Sequence, residues 1–123
     1  MISLNIPETE DTPKVHLDPA NGIFEISRRS YPEDATGFYA PVMEWLGQYT
    51  AAPNPETSFS FRLEYFNTAS AKQLFKILTL LEDLSRLNKV TIVWHYNKQD
   101  QDMLASGMRY SKMISLEMQM VEH

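Results

Sequence analysis

Three groups of side chains in this sequence have chemistry to offer. Thr68 stands between an alternating apolar run and a helical apolar stripe, His95 closes a second apolar run, and five of the seven methionines (Met103, Met108, Met113, Met118 and Met120) fall in the last 21 residues. A threonine at such a junction can cap the helix, its hydroxyl accepting from a free backbone N–H. It can also accept phosphate, which would face those same free N–H groups and the positive end of the helix dipole. The two roles are compatible. His95 has Glu64 and Glu33 as possible carboxylate partners for general-base work, but no nucleophile motif accompanies it, and a hydrogen-bonded strand-end histidine is the expectation. The methionines suit either an adaptable partner surface or an irregular core.

Much other chemistry is excluded. The chain has no cysteine, which removes thiol catalysis, thiolate metal sites and disulfides. His16 and His123 lack metal-ligand spacing, and the four glycines are scattered rather than gathered into a phosphate loop. No catalytic residue, metal or cofactor is expected. With 11 Lys+Arg against 16 Asp+Glu the net charge is −5, and the one adjacent cationic pair is Arg28–Arg29. That balance disfavours nucleic acid and anionic membranes as partners. No segment approaches the ~18 apolar residues of a membrane span, and the acidic stretch from Met1 to Lys14 is not a secretory signal. A cytoplasmic protein is expected.

The elements that must position these residues follow from periodicity. The 123 residues, 43% apolar and 22% charged, fit one domain spanning 1–123. Ile2, Leu4 and Ile6 alternate as a strand ended by Pro7. Val15 and Leu17 predict a second strand, joined through the turn Pro19-Ala20-Asn21-Gly22 to a third over Ile23–Ser27. Ser30-Tyr31-Pro32-Glu33-Asp34 opens a helix whose face carries Phe38, Val42, Trp45, Leu46 and Tyr49. Pro41 conflicts with that helix and predicts a late start or a kink. Thr50–Thr57, with Pro53 and Pro55, is a connection. Phe59, Phe61, Leu63 and Tyr65 form the clearest strand, and Leu74, Ile77, Leu78, Leu81 and Leu84 the clearest helix, with Asn88 as a left-handed C-cap. Val90–Tyr96 is apolar on both faces, as an interior strand would be. Gln99–Lys112 is a weaker helix interrupted by Gly107, and Leu116–Met120 is a final strand.

The order β-β-β-α-β-α-β-α-β implies an α/β domain, a mixed and mostly parallel sheet with helices on one or both faces. In such sheets partners meet the loops beyond the carboxyl ends of the parallel strands. Three polar junctions converge there: Ser30-Tyr31-Pro32-Glu33, Asn67-Thr68-Ala69-Ser70 and His95-Tyr96-Asn97.

These motifs carry a family resemblance. Leu4-x-Ile6-Pro7-x-Thr9-x-x-Thr12-Pro13, Ser30-Tyr31-Pro32-Glu33, Tyr65-Phe66-Asn67-Thr68-Ala69-Ser70-Ala71-Lys72 and Trp94-His95-Tyr96 stand in the order and spacing of the SiaC-type regulatory phosphoproteins of bacteria. The chain resembles that family from about Leu4 to Tyr96. The resemblance implies a fold like that of anti-sigma-factor antagonists (STAS-like). It implies phosphorylation of Thr68 by a dedicated kinase and its removal by a phosphatase. The unphosphorylated form would bind and activate a diguanylate cyclase, in cyclic di-GMP and biofilm signalling. The expected partner-binding residues are Tyr31, Pro32, Glu33, Asn67, Thr68, Ser70, Lys72, His95 and Tyr96. Ala69 departs from the motif, where relatives often carry a hydroxyl. The leading reading is a non-enzymatic phosphorylation switch. The alternatives are a small-ligand or nucleotide-binding module using the same strand-end cleft, an anti-sigma-factor antagonist, or an enzyme using His95.

Overall fold

The computed structural model describes residues Met1–His123. Its elements are β1 (Leu4–Ile6), β2 (Lys14–Asp18), β3 (Ile23–Ser30), α1 (Ala35–Ala51), β4 (Glu56–Phe66), α2 (Thr68–Leu84), β5 (Lys89–Tyr96), α3 (Gln101–Met113) and β6 (Met118–Glu122). They form one six-stranded sheet in the order β1-β2-β3-β4-β5-β6. The first three strands are an antiparallel meander, and β3 to β6 run parallel.

Because each parallel strand lies beside its sequence neighbour, right-handed crossovers carry every helix to the same face. The side chains report this directly. Phe59, Phe61 and Leu63 of β4 and Val90, Ile92 and Trp94 of β5 are buried, whereas the residues between them, Ser58, Ser60, Arg62, Thr91 and Val93, keep accessible surface. One sheet face is therefore helix-covered and the other is bare. The apolar Val93 does not signal cover on both faces. It lies half-buried on the bare one, although β5 is interior as expected.

Packing overrides the local conflict in α1. The helix runs unbroken through Pro41, whose ring is exposed to solvent. An interior proline costs about 3 kcal/mol. Burial of Tyr39, Val42, Trp45, Leu46 and Tyr49, at roughly 1.5–3 kcal/mol for a large apolar side chain, more than offsets it. Tyr39 takes the core position and Phe38 is half-buried. The Trp45 indole also donates to the Ile2 carbonyl at 2.8 Å, which ties the N-terminus to α1.

Other expectations need correction at their edges. β4 starts at Glu56 rather than Phe59, with Thr57 buried and hydrogen-bonded to the Tyr49 hydroxyl at 2.8 Å. Asn88 is not left-handed. The α2 terminus closes through a run of backbone turns, and the Asn88 side chain donates to the Asn54 carbonyl instead. Gly107 does not interrupt α3.

β3 continues to Ser30, past the expected end at Ser27. Its register against β4 slips by one residue, so Arg28 pairs with Leu63, Arg29 with Tyr65, and Glu64 between them has no partner. Arg28 takes a left-handed φ of 78°. Alternation alone would aim that guanidinium into the core. The twist sends it outward instead, to Glu8 at 3.2 Å and Glu64 at 3.8 Å. A bulge and a positive φ of this kind concentrate where strand ends build sites.

Candidate functional site

Parallel strands put the carboxyl ends of β3, β4 and β5 at one edge of the sheet, so Tyr31, Thr68 and His95 lie at the same end of the molecule. They do not form a single surface.

Tyr31 packs its ring edge-on against exposed Tyr65, with centroids 5.7 Å apart. Its hydroxyl donates to the Glu10 carbonyl at 3.0 Å, and its backbone N–H to the Asp11 carbonyl at 2.8 Å. The acidic β1–β2 loop is thereby strapped to the site edge, which sequence reasoning did not foresee. Pro32 is buried beneath it, Glu33 is exposed, and Asp34 caps α1 by accepting from the Gly37 N–H.

Thr68 is exposed, but it is not the cap of α2. Asn67 takes that role, its Oδ1 accepting from the Ser70 N–H at 2.8 Å, and Thr68 is the first helical residue. Asparagine is at least as good a cap as threonine and, one position earlier, meets the free N–H groups in the preferred geometry. The Thr68 hydroxyl is therefore not committed to holding the helix. Asn67→Ala should cost about 1 kcal/mol of stability, whereas Thr68→Ala should stay within about 0.5 kcal/mol. Urea unfolding of both variants beside the wild type measures this, and equal losses would contradict the assignment of the cap.

Ser70 has no accessible surface. It accepts from the Ser30 hydroxyl at 2.8 Å, and Ser30 lies 2.7 Å from the Tyr39 hydroxyl. Burial pushes the Tyr39 phenol up to about 12, so it stays protonated and can donate to Ser30. This buried chain of hydroxyls joins the first turn of α2 to β3 and α1. Ser70 therefore positions Thr68 and cannot itself touch a partner.

Lys72 is exposed one turn beyond Thr68. Across from it lies α3, which presents Ser106, Arg109, Tyr110 and Met113 at helical spacing. Two recesses open between these helices, and Thr68, Ser106 and Arg109 line both. One, of about 490 Å³, faces the strand ends and carries Glu64, Asp100 and Asp102. The other, of about 530 Å³, runs along α2 and α3 and is floored by Phe66, Phe75, Tyr110 and Met113. Their spacing is fixed by two contacts. The Tyr110 hydroxyl donates to the Ala71 carbonyl at 2.8 Å, and the Trp94 indole donates to the Met103 carbonyl at 2.9 Å where the α3 backbone at Gly107 lies against it.

His95 belongs elsewhere. It alternates with core-facing Trp94 and so points to the bare face, where it is nearly buried and its ring centroid lies 6.3 Å from that of His123. Burial first, then the charges of Arg62 and His123, hold its imidazole below the ordinary histidine range, against an opposing pull from Glu25. The carboxylate that acts on it is thus Glu25, not Glu64 or Glu33. The polar cleft on that face is lined by Lys14, Glu25, Arg62 and His123, and His95 does not line it. Tyr96, next in the strand, is half-buried against the core. Among the methionines, Met103 and Met118 are buried and Met120 is half-buried, while Met108 and Met113 are 48% and 60% exposed.

No helix is long and apolar enough to cross a membrane. Comparison with known proteins agrees with the architecture and extends it. An uncharacterised protein of Pseudomonas aeruginosa strain UCBPP-PA14 is 31% identical over 102 residues, 82% of this chain and 81% of that protein. SiaC of Pseudomonas aeruginosa superposes with a TM-score of 0.90 at 27% identity, covering 100% of both chains. A crystal structure of that organism's diguanylate cyclase SiaD in complex with its activator SiaC matches with a TM-score of 0.91 at 27% identity, over 98% of this chain and 99% of the matched one. The family model for SiaC family regulatory phosphoproteins matches residues 6–123, reaching well past Tyr96 and through α3 and β6. With its fold and nearly its whole length matched, this chain belongs to the SiaC family of regulatory phosphoproteins.

Proposed function

We propose that this protein is a non-enzymatic switch that acts in the cytoplasm, in which phosphorylation of Thr68 controls binding to a diguanylate cyclase. The observation that carries the reading is the division of labour at the start of α2. Asn67 caps the helix and the buried Ser30–Ser70 pair anchors it, which leaves Thr68 exposed at N1. A kinase can reach the hydroxyl there, and a phosphate would meet a favourable helix dipole worth ~0.3–1 kcal/mol rather than melt the helix. The fold therefore tolerates both states, as a switch requires. The solved complex in which a SiaC relative is the activator of a diguanylate cyclase names the partner class. A cognate kinase would add the phosphate and a phosphatase would remove it.

The test combines three purified components: this protein, a candidate cognate kinase and a diguanylate cyclase from the same organism. Unphosphorylated protein should raise cyclic di-GMP production. Kinase treatment should abolish the stimulation and place phosphate on Thr68 by mass spectrometry. Thr68→Ala should stimulate and ignore the kinase. Phosphate on another residue, or a cyclase indifferent to the protein, would refute the reading.

A further inference from the structure

We infer that the groove between α2 and α3 is the docking surface, and that its occupant is an acidic, apolar-anchored segment of the cyclase partner. The inference deepens the reading above and rests on it. The floor is apolar, formed by Phe75, Tyr110 and Met113, and the rim is cationic, formed by Lys72, Lys76 and Arg109. Met113 remains 60% exposed beside the stacked Phe75 and Tyr110 rings, so the floor has apolar area left to bury.

The charge is what selects the occupant. The chain carries five more acids than bases, yet its four ion pairs involve Arg28 twice, Arg86 and Lys89, and none uses a rim cation. Arg109 is held by no more than the Ser106 hydroxyl at 3.2 Å. Three unmatched cations around an apolar floor, on a molecule otherwise acidic, complement carboxylates flanking apolar anchors. The neighbouring recess offers no such match, since Glu64, Asp100 and Asp102 lie in it beside Arg109.

Thr68 sits at the end of this groove, with Lys72 on the same helical face at i+4. A phosphate there brings nearly two negative charges. It would draw Lys72 and Arg109 to itself and leave an acidic segment facing a rim with most of its charge cancelled. The groove and the switch are thus one device: the modification competes, within the same chain, for the cations that the partner needs.

Charge reversal tests this with the full-length protein and full-length cyclase. Lys76→Glu and Arg109→Glu should each weaken binding at least tenfold, and Met113→Ser several-fold. Lys89→Glu, at the opposite end of the sheet, should bind as wild type. Raising salt should weaken the wild-type complex and narrow the gap to Arg109→Glu. Circular dichroism of each variant establishes that it is folded. If the wild type binds in a phosphorylation-sensitive way while Lys76→Glu and Arg109→Glu bind equally well, the groove assignment fails and the switch reading survives. If the wild type does not bind the cyclase at all, both fail. Hydrogen exchange should protect residues 72–76 and 106–113 only when the cyclase is present. Protection in concentrated protein alone would identify a second copy of the chain as the occupant and overturn the assignment.

Discussion

Thr68→Asp is expected to bind the cyclase partner at least a hundredfold more weakly than the wild type while melting at nearly the same temperature. Asp at the first helical position keeps Asn67 as the cap and adds a charge that the helix N-terminus favours by ~0.3–1 kcal/mol. The isolated fold has no reason to suffer. Binding does. A carboxylate at position 68 either takes Lys72 and Arg109 from the partner's acids or stays unpaired in a closed interface, and leaving a charge there without its partner costs on the order of 3 kcal/mol or more, which is more than two decades of affinity. Thr68→Ala buries nothing charged and should bind as the wild type does. Calorimetric titration of the three proteins, with a melting curve for each, separates the two effects. Equal affinity of Thr68→Asp and wild type would leave Thr68 with no part in docking.

The second large effect concerns Gly107, and Gly47 provides its control. Both are helical glycines, and replacing a helix-interior glycine by alanine ordinarily gains about 0.5–1 kcal/mol. At Gly47 an added Cβ meets nothing within 4 Å, so Gly47→Ala should realise that gain. At Gly107 the same atom would lie 2.6 Å from Trp94 Nε1 and closer still to the neighbouring ring carbon. The indole cannot yield, because it is 1% exposed, donates to the Met103 carbonyl at 2.9 Å and packs on Phe61 and Tyr110. Overpacking of this kind costs roughly 1–3 kcal/mol, and a ring so fixed puts the cost at the upper end. Gly107→Ala should lose about 2 kcal/mol net, lowering the melting temperature by roughly 5–10 °C. It should also disturb partner binding, since α3 forms one wall of the groove. A Gly107→Ala protein as stable as Gly47→Ala would show that α3 can shift freely on the sheet.

The strands and helices were legible because their apolar periods are strong and agree with their lengths. Phe59 to Tyr65 and Leu74 to Leu84 left no alternative, and with alternating β and α units the right-handed crossover rule then gave the parallel core. Three features were not legible. That all helices share one face depends on strand order, which periodicity does not encode, so the sequence left helices on one face or on both open. The bulge opposite Glu64 depends on pairing between β3 and β4 and on where a charged Arg28 can go. The choice between Asn67 and Thr68 as cap turns on one residue of helix boundary, finer than a sequence pattern resolves. For the site, Thr68, Tyr31 and Lys72 were visible from junction chemistry and family motif. Arg109, Lys76 and the Phe75–Tyr110 stack were not, because they lie along α2 and α3, beyond the strand-end junctions to which sheet topology points. The spacing of Ser106, Arg109, Tyr110 and Met113 (i, i+3, i+4, i+7) was nonetheless present in the sequence, but Gly107 masked it by reading as a helix breaker when it is a packing contact.

The uninterrupted strand order has a kinetic consequence. Every pairing in this sheet joins segments adjacent along the chain, and the longest closure needed anywhere is a single β-α-β crossover. Loop-closure entropy is therefore met in small steps, none of which waits for distant parts of the chain to find one another. The meander of β1 to β3 can form first, and each helix–strand unit can then add to the edge its predecessor left exposed, β4 on β3, β5 on β4 and β6 on β5. In a chain emerging from the ribosome that is also the order of synthesis. The last wall of the docking groove, α3, is then the last helix to be laid down.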